Sequence, residues 1–249
     1  MNRLQGKRAL ITGGTTGIGL ESAKQFLAEG ARVIITGQNS DRLTQAQQEL
    51  GENVIVINSD AGQVEAQKHL AEAIRQSFGQ LDVVFLNAGI GIFQPIEAWD
   101  EAAFDKQMTV NLKGPYFLIQ SLLPILANPA SIVLNTSINA HIGMPNSSVY
   151  AASKAAMISL AKTLSGELVE RGIRVNAISP GPVSTPIYEK LGVPTEALGQ
   201  MAEAIRHQIP LKRFGDPIEI AKAAVFLASD ESAFMLGSEI VIDGGMSTL

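Results

Sequence analysis

The stretch TGGTTGIG, residues 12–19, joins a short apolar run at 8–12 to a segment with helical periodicity at 19–29. Glycines at such a junction allow a tight turn and a close approach of the backbone to a pyrophosphate, and the N-terminus of the following helix offers free N–H groups. The stretch therefore predicts a dinucleotide-binding loop, although many turns between a strand and a helix are rich in glycine. The lysine of a P-loop is missing after Gly17, which argues against hydrolysis of a nucleoside triphosphate.

Outward from this loop, short β-branched runs alternate with longer amphipathic segments. The alternation predicts an α/β fold in which a doubly wound parallel sheet carries helices on both faces, because the strands are almost continuously apolar. No linker interrupts it, so we expect a single domain over residues 1–249, with a Gly/Pro-rich loop at 179–195 and a substrate lid at about 182–210. The predicted strands are 8–12, 32–36, 53–57, 81–86, 131–136, 173–178 and 239–242, and the predicted helices are 19–29, 40–50, 66–78, about 101–126, about 149–171 and 217–228.

Composition excludes several classes of function. The 249 residues are 46% hydrophobic and carry a net charge of −5 without a dense basic run, which argues against nucleic-acid binding. The absence of cysteine excludes disulfides and thiol chemistry, and the three dispersed histidines form no metal-binding motif, so we expect no metal site. No stretch reaches the ~18 apolar residues of a membrane span, and we expect a cytoplasmic protein with no membrane partner.

Three further turns follow predicted strands and fit a dinucleotide laid along the strand ends. Asp60 follows the third strand, where its carboxylate can accept from an adenine amino group. The small residues of 87–89, Asn-Ala-Gly, follow the fourth strand, and the rigid turn Pro180-Gly181-Pro182 follows the sixth. Each turn alone is ordinary, but all of them lie at the carboxyl ends of successive strands, where open α/β sheets bind ligands.

The run SSVYAASKAA, residues 147–156, places a tyrosine four residues before a lysine. On a helix Tyr150 and Lys154 then lie on one face, one turn apart. The pKa of tyrosine is ordinarily about 10, and a nearby ammonium group is expected to lower it, which would suit an acid/base. The alternative interpretation is a surface pair without chemistry, because this spacing is common.

Together these stretches resemble the short-chain dehydrogenase/reductase superfamily along essentially the whole chain. The resemblance rests on TGGTTGIG at 12–19, NAG at 87–89, Asn111 in TVNLKG, Ser137 in LNTSIN, Tyr150 with Lys154, and PGPVST at 180–185. It implies a Rossmann fold with a seven-stranded parallel sheet, a nicotinamide cofactor and a catalytic group of Asn111, Ser137, Tyr150 and Lys154. It also implies that Lys154 binds the nicotinamide ribose and that Asn111 holds a water linking Lys154 to solvent.

The function expected from these residues is hydride transfer between NAD(P) and a small-molecule ketone or secondary alcohol. The predicted cofactor-binding residues are Gly13, Thr15, Thr16, Gly17, Ile18, Gly19, Gly37, Gln38, Asn39, Asp60, Ala61, Asn87, Ala88, Gly89, Tyr150, Lys154, Pro180, Gly181, Val183 and Thr185. The predicted substrate pocket comprises Ser137, Asn139, Met144, Tyr150 and Tyr188, with Ile138, Pro182, Val183 and Leu191 as further candidates. Its mostly apolar lining suits a neutral carbonyl compound.

The end of the second strand bears on the choice between NADP and NAD. An enzyme specific for NAD typically has a carboxylate there that accepts from the ribose 2′-hydroxyl. This chain instead has Gly37, followed by the neutral donors Gln38, Asn39 and Ser40. Nothing there repels a 2′-phosphate, but the usual basic partner is also missing. We therefore expect a modest NADP(H) preference, with NAD still usable.

The sequence leaves three other functions open and also indicates an assembly. Reduction of 3-oxoacyl groups on an acidic carrier protein ranks lower, because the loop at 122–131 has no basic residue and only Arg171 and Arg174 lie nearby. A non-catalytic cofactor sensor would not need Tyr150, and a sugar-nucleotide epimerase normally has a larger C-terminal domain. The small-faced helices at 112–126 and 149–171 suit close packing between subunits, and the resemblance implies a homotetramer.

Overall fold

The computed structural model describes residues 2–185 and 195–249, except for the side chains of 195–198. Its described strands form one seven-stranded sheet in the order β3-β2-β1-β4-β5-β6-β7, and every neighbouring pair is parallel. The strands are β1 (Arg8–Ile11), β2 (Arg32–Gly37), β3 (Val54–Asn58), β4 (Leu81–Leu86), β5 (Leu126–Asn135), β6 (Ile173–Pro180) and β7 (Glu239–Ile242). The predicted doubly wound Rossmann architecture is confirmed.

Helices connect these strands in the expected alternation. They are α1 (Gly17–Ala28), α2 (Ser40–Leu50), α3 (Val64–Phe78), α4 (Glu101–Met108), α5 (Gly114–Leu122), α6 (Ser148–Leu168), α7 (Thr195–Gln208) and α8 (Pro217–Ala228). The start of α8 shows why its bounds can be read from the sequence. Pro217 occupies its first turn, and the Glu219 carboxylate accepts from the backbone N–H of Asp216 at 2.7 Å.

Side chains on the two faces of the sheet enter two separate hydrophobic cores. In β4, Val84 packs with Leu70, Leu118 and Leu164 of α3, α5 and α6. Its neighbours Val83 and Phe85 point to the other face, into the core that contains residues of α1 and α8 such as Phe26 and Ala224. Because both faces are covered, the strands read as continuous apolar runs.

The prediction of one helix over about 101–126 is wrong. Between α4 and α5 the chain makes a π-helical turn, Thr109–Lys113, and after α5 it ends in a 3₁₀ turn, Leu123–Ile125. Pro115 has no N–H, so the α-helical bond back to the Asn111 carbonyl cannot form. The wider turn accommodates this loss at the position of a predicted catalytic residue.

Two other predictions need correction. Strand β5 begins at Leu126 rather than at 131, and the predicted lid at 182–210 contains the helix α7, which the sequence analysis did not anticipate. The predicted loop at 179–195 overlaps the end of β6 at Pro180, and part of it, 186–194, lies outside the described residues.

The strand order reverses between β1 and β4, because β1 connects onward to β2 on one side while β4 lies on the other. Such a switch point leaves a crevice at the carboxyl ends of the strands. The predicted glycine loop follows β1 and the Asn-Ala-Gly turn follows β4, so both lie at this crevice.

Helix α5 packs backbone to backbone against the turn after β3. A Cβ atom added to Gly114 would lie 1.7 Å from the carbonyl oxygen of Ala61, a distance that no side chain tolerates. A glycine at position 114 is therefore required for the helix to approach this closely.

We predict that Gly114→Ala lowers the free energy of unfolding by roughly 1–3 kcal/mol, although alanine is the better helix former, because the backbone must shift. Urea denaturation measures the change. Gly166→Ala in α6 is the matched control, since its added Cβ meets no atom within 4 Å, and it should be neutral or slightly stabilising. Equal stability of the two variants would contradict the close packing.

Candidate active site

The glycine loop leaves the N-terminus of α1 open to a ligand. Gly13 and Gly17 adopt positive φ angles of 62° and 55°, which favour glycine. A Cβ on Gly19 would lie 2.2 Å from the Gly13 carbonyl oxygen, so the first turn of α1 lies tightly against the loop. Thr16, at the N-cap position, makes no side-chain capping bond. The first N–H groups of α1 can therefore bind an anion such as a pyrophosphate.

Asn87 holds this loop in place. Its side-chain amide donates to the carbonyl oxygens of Thr12 and Gly13, both at 3.1 Å, and its own oxygen accepts from the Asn135 amide at 2.9 Å. The Thr12 hydroxyl oxygen accepts from the backbone N–H groups of Asn87 and Ala88. The turn after β4 thus positions the glycine loop, a contribution that the sequence analysis did not foresee for Asn87.

The predicted adenine end is a hydrogen-bonded cluster at the ends of β2 and β3. The Gln38 amide nitrogen donates to Asp60 Oδ1 at 2.5 Å, and the same oxygen accepts from the Gly62 N–H at 2.7 Å. A Cβ on Gly37 would lie 2.8 Å from the Thr15 methyl carbon. The Thr15 methyl group therefore fills the space beside residue 37.

The Asn39 side chain has a protein partner at this end. It caps α2, where its Oδ1 accepts from the Arg42 N–H at 2.8 Å. The Ser40 hydroxyl oxygen accepts from the Asn58 amide at 3.2 Å, so both neutral side chains have protein partners.

Tyr150 and Lys154 project from the first turns of α6 toward the carboxyl ends of β4 and β5. The Lys154 Nζ lies 5.7 Å from the centre of the Tyr150 ring and donates to the Asn135 carbonyl oxygen at 2.8 Å. Only 5% of Lys154 is exposed, whereas Tyr150 is half-buried. Ser137 follows β5 and hydrogen bonds to the Tyr150 hydroxyl.

Asn111 lies in the π-helical turn and is buried. Its Oδ1 accepts from the Ile90 N–H at 2.8 Å, and its Nδ2 donates to the Ile90 carbonyl at 2.9 Å and to the Ser153 hydroxyl at 3.1 Å. A Cβ on Gly89 would lie 3.3 Å from Asn111 Oδ1 and 3.4 Å from Lys154 Nζ. Asn111 and Lys154 therefore meet beside Gly89, which has no side chain.

Burial sets the acid–base properties of the pair. Burial raises the pKa of Tyr150, and the hydrogen bond from Ser137 opposes that shift without cancelling it. Burial lowers the pKa of Lys154 to about 8. The expected lowering of the tyrosine pKa by Lys154 is therefore not found in the protein alone, because desolvation of the phenolate dominates.

The predicted substrate side is lined from two loops. Met144 is partly exposed, and its sulfur accepts from the Asn139 amide at 3.5 Å, while the Asn139 N–H donates to the Ser137 hydroxyl oxygen at 3.2 Å. Val183 is buried and pairs with Gly215 in an isolated bridge. The predicted pocket residues Tyr188 and Leu191 lie outside the described residues.

The remaining predicted cofactor residues lie at the same edge of the sheet. Pro180 is the last residue of β6 and is buried, and a Cβ on the following Gly181 would lie 2.7 Å from the Asp243 Cα. Ile18 of α1 packs against the core, and Thr185 lies two residues beyond the Val183 bridge.

Two features were missed in the sequence. The ring of Phe93, in the loop after β4, packs on the Tyr150 ring with centroids 5.2 Å apart. The Glu239 carboxylate accepts from the buried Ser179 hydroxyl and contacts His141 Nε2 at 2.6 Å. Phe93 follows a strand that ends at the crevice, and this position could have indicated that its ring lies near Tyr150. The second joins residues 98 apart in sequence, which no local pattern reveals.

Two classes of feature are missing from the part of the chain that the structure describes. Among the described side chains, those of residues 2–185 and 199–249, no group of histidine, aspartate and glutamate could hold a metal ion. None of the helices in these ranges is long and apolar enough to span a bilayer.

Comparison with known proteins places this geometry in a family. The profile of a family described as "Enoyl-(Acyl carrier protein) reductase" matches residues 13–247. The solved structure of a "short chain dehydrogenase/reductase family protein" superposes with a TM-score of 0.86 at 36% identity, covering 99% of this chain and 100% of that one. The chain belongs to the short-chain dehydrogenase/reductase family. Members are oxidoreductases that use a nicotinamide cofactor, and this short-chain dehydrogenase/reductase has the open helix N-terminus and the glycine-lined cradle that such a cofactor needs.

Two curated relatives differ in their named substrates. A 3-oxoacyl-(acyl-carrier-protein) reductase of Thermotoga maritima is 40% identical, over 98% of this chain and 99% of its own length. An NADP-dependent (R)-specific alcohol dehydrogenase of Lentilactobacillus kefiri is 35% identical, over 98% of both chains. The family is therefore established for this short-chain dehydrogenase/reductase, while its substrate is a separate question.

The burial of Lys154 predicts a pH-dependent stability. Between pH 8 and the ordinary lysine pKa of 10.5, the folded protein binds fewer protons at this group than the unfolded chain does, so its stability rises with pH in that window. Below that window the cost of burying the charge is fully present. Lys154→Met removes this cost and loses the bond to Asn135.

We therefore compare the free energy of unfolding of Lys154→Met with that of the unmodified protein. The difference should favour the variant by about 2 kcal/mol more at pH 7 than at pH 9.5. Urea denaturation at both pH values measures it. Lys162→Met, which removes an exposed lysine of the same helix, should show no such difference. A pH-independent effect of Lys154→Met would show that the ammonium is not destabilised by burial.

Proposed function

We propose that the protein transfers a hydride between a nicotinamide dinucleotide and a small-molecule ketone or secondary alcohol, with Tyr150 exchanging the proton. The observation that supports this best is the grouping of the Tyr150 hydroxyl, Ser137 and Lys154 beside the glycine cradle. In reduction, a C–H bond forms at the carbonyl carbon and the phenolic proton moves to the carbonyl oxygen. Oxidation of the alcohol reverses both transfers.

Each of the four polar residues has a proposed role. Ser137 donates a hydrogen bond to the substrate oxygen, where negative charge develops during reduction. Tyr150 supplies the proton, and its raised pKa keeps it protonated at neutral pH, so reduction is favoured there and oxidation should accelerate as pH rises. Lys154 binds the nicotinamide ribose, and Asn111 keeps the loop after β4 in register and holds a water next to Lys154.

The dinucleotide would bind along the carboxyl edge of the sheet. When bound, it supplies or accepts the hydride. The open N-terminus of α1 would bind its pyrophosphate, and Asp60 would accept from the adenine amino group. A Cβ atom on Gly89 would lie only 3.4 Å from Lys154 Nζ. Because glycine has no Cβ, this space beside Lys154 would be left for the nicotinamide ribose.

A neutral substrate fits the described lining. Phe93 and Met144 are apolar and partly exposed, and Ser137 is the polar group aimed at the substrate oxygen. We propose that the described part of the predicted lid at 182–210, which includes α7, covers this side within a single domain.

Reduction of a 3-oxoacyl group on a carrier protein is the second candidate, favoured by the Thermotoga relative. It would use the same residues, but an acidic partner needs basic side chains to dock. The Arg171 guanidinium donates to the Leu123 carbonyl at 2.6 Å, and that of Arg174 donates to the carbonyls of Leu227 and Ser229. Both arginines flank the amino end of β6, at the edge of the sheet opposite the site. This arrangement supports a free ketone as the substrate.

For the cofactor we propose a modest preference for NADP(H). The absence of a carboxylate at Gly37 permits a 2′-phosphate, and the Lentilactobacillus relative is named as NADP-dependent. The Gln38 amide, however, already donates to Asp60. Exchanging that bond for one to a phosphate gains only about 1.4 kcal/mol of net free energy. The preference should therefore be small, on the order of tenfold.

We also propose a homotetramer in which α5 and α6 pack between subunits. Exposed apolar side chains on the adjoining face, Phe104 and Tyr116, support a partner surface there. Light scattering distinguishes such an assembly from the monomer mass of 26.4 kDa.

We predict that Tyr150→Phe lowers kcat for ketone reduction by roughly 10²–10⁴-fold while cofactor affinity stays within a few-fold, because only the hydroxyl carries the proton. Steady-state kinetics and cofactor titration measure the two quantities. Tyr116→Phe removes the hydroxyl of an exposed tyrosine on α5 and is the matched control. Turnover in Tyr150→Phe equal to that of the control would rule out Tyr150 as the acid/base.

The cofactor preference is tested with one ketone. We expect kcat/KM with NADPH to exceed that with NADH by about tenfold, and Gln38→Arg to widen the ratio further, because a guanidinium pairs with a 2′-phosphate. Gln48→Arg adds the same charge on the exposed side of α2 and should leave the ratio unchanged. An unaltered ratio in Gln38→Arg would show that residue 38 does not face the 2′ position.

A further inference from the structure

The loop after β4 brings an aromatic ring onto the proposed proton donor. The ring centroids of Phe93 and Tyr150 are 5.2 Å apart, and their planes are inclined by 51°. This tilted arrangement is one that aromatic pairs favour. Phe93 nevertheless remains 39% exposed. Part of an apolar ring is therefore left accessible next to the Tyr150 ring.

The backbone on both sides of this exposed ring is firmly held. The Ile92 N–H donates to the buried Gln107 side chain at 2.5 Å, and the Gln94 N–H donates to the Asn146 carbonyl at 2.9 Å. The Trp99 indole N–H in turn donates to the Gln94 carbonyl at 3.2 Å. These bonds fix the direction in which the phenylalanine side chain leaves the loop.

Gly91 makes room for the ring. A Cβ atom at position 91 would lie 2.6 Å from the Phe93 ring, so a side chain there would displace it. The loop therefore holds the ring against Tyr150 by two independent means, the backbone bonds on either side of Phe93 and the missing side chain at Gly91.

A second apolar side chain belongs to the same surface. Met144 is 36% exposed and lies in the loop whose Asn146 carbonyl accepts from Gln94. Phe93 and Met144 are both uncharged and offer no strong hydrogen-bonding group. A polar or charged substituent placed here would lose its hydration without compensation, whereas a flat apolar group would gain contact with a ring.

We propose that Phe93 is a specificity-determining residue that selects ketones carrying an aryl substituent on the carbonyl carbon. The aryl ring packs against Phe93 while the carbonyl oxygen meets Tyr150 and Ser137. This inference rests on the proposed function and deepens it, since it names the class of substrate. A purely structural Phe93 would instead affect all ketones alike.

The experiment compares two ketones of similar size, acetophenone with its flat ring and cyclohexyl methyl ketone with its puckered ring. In Phe93→Ala, the ratio of kcat/KM for acetophenone to that for the cyclohexyl ketone should fall about tenfold relative to the unmodified protein, mainly through a higher KM for acetophenone. Phe93→Leu restores apolar volume without a flat ring and should recover the cyclohexyl ketone more than acetophenone. Phe234→Ala, which removes a fully exposed ring before β7, should leave the ratio unchanged.

An equal loss for both ketones in Phe93→Ala, or an unchanged ratio, would overturn the proposal. Calorimetric binding of 1-phenylethanol and 1-cyclohexylethanol in the presence of NADPH, which cannot oxidise an alcohol, gives a second readout that needs no turnover. Should the unmodified protein reduce neither ketone, the proposed function fails on these substrates, and the binding ratio still decides the role of Phe93. Binding of the aryl alcohol that is insensitive to Phe93→Ala would refute that role.

Discussion

The carboxamide of Asn111 joins the three elements on which the site depends. It bonds both backbone groups of Ile90 in the loop after β4, and it donates to Ser153 on α6. The hydroxyl of Ser153 donates in turn to the Tyr150 carbonyl at 2.7 Å. A buried amide must satisfy its polar atoms, and here the partners are the segments that carry Gly89, Phe93 and Tyr150. The π-helical turn places this amide where all of them can be reached.

The site also depends on the burial of two ionisable side chains, Lys154 and Tyr150. Lys154 is almost fully buried and donates to the Asn135 carbonyl, while Tyr150 loses hydration beside it. Burial disfavours the charged form of each group, the ammonium of Lys154 and the phenolate of Tyr150. Their environment thus makes the lysine easier to deprotonate and keeps the phenol available as a proton donor. Active sites typically bury ionisable groups in this way, at a cost in stability.

Strands and helices could be predicted from the sequence where the local residue pattern reflects how the element is packed in the fold. Strands buried on both faces are apolar throughout, so β4 and β7 were bounded correctly, and the Asp216-Pro217 start delimited α8. The glycine loop, the Asn-Ala-Gly turn and Ser137 lie at one edge because they follow β1, β4 and β5 of one parallel sheet. The π-helical turn was missed, because a hydrophobic pattern does not distinguish a continuous helix from one that widens at Pro115. The contacts of Asn87, Gln38 and Phe93 were also missed, since each joins segments that are distant along the chain or depends on side-chain direction.

The strand order sets a distance as well as a topology. Asp60 follows β3 and Ser137 follows β5, with β2, β1 and β4 between them. Four steps of about 4.8 Å between neighbouring strands separate the two positions by roughly 19 Å. A ligand that touches both must be extended and about that long, so either half of a dinucleotide can reach one end only. The distance across these strands therefore selects a ligand of the full dinucleotide length, because a shorter ligand cannot contact both ends of the site.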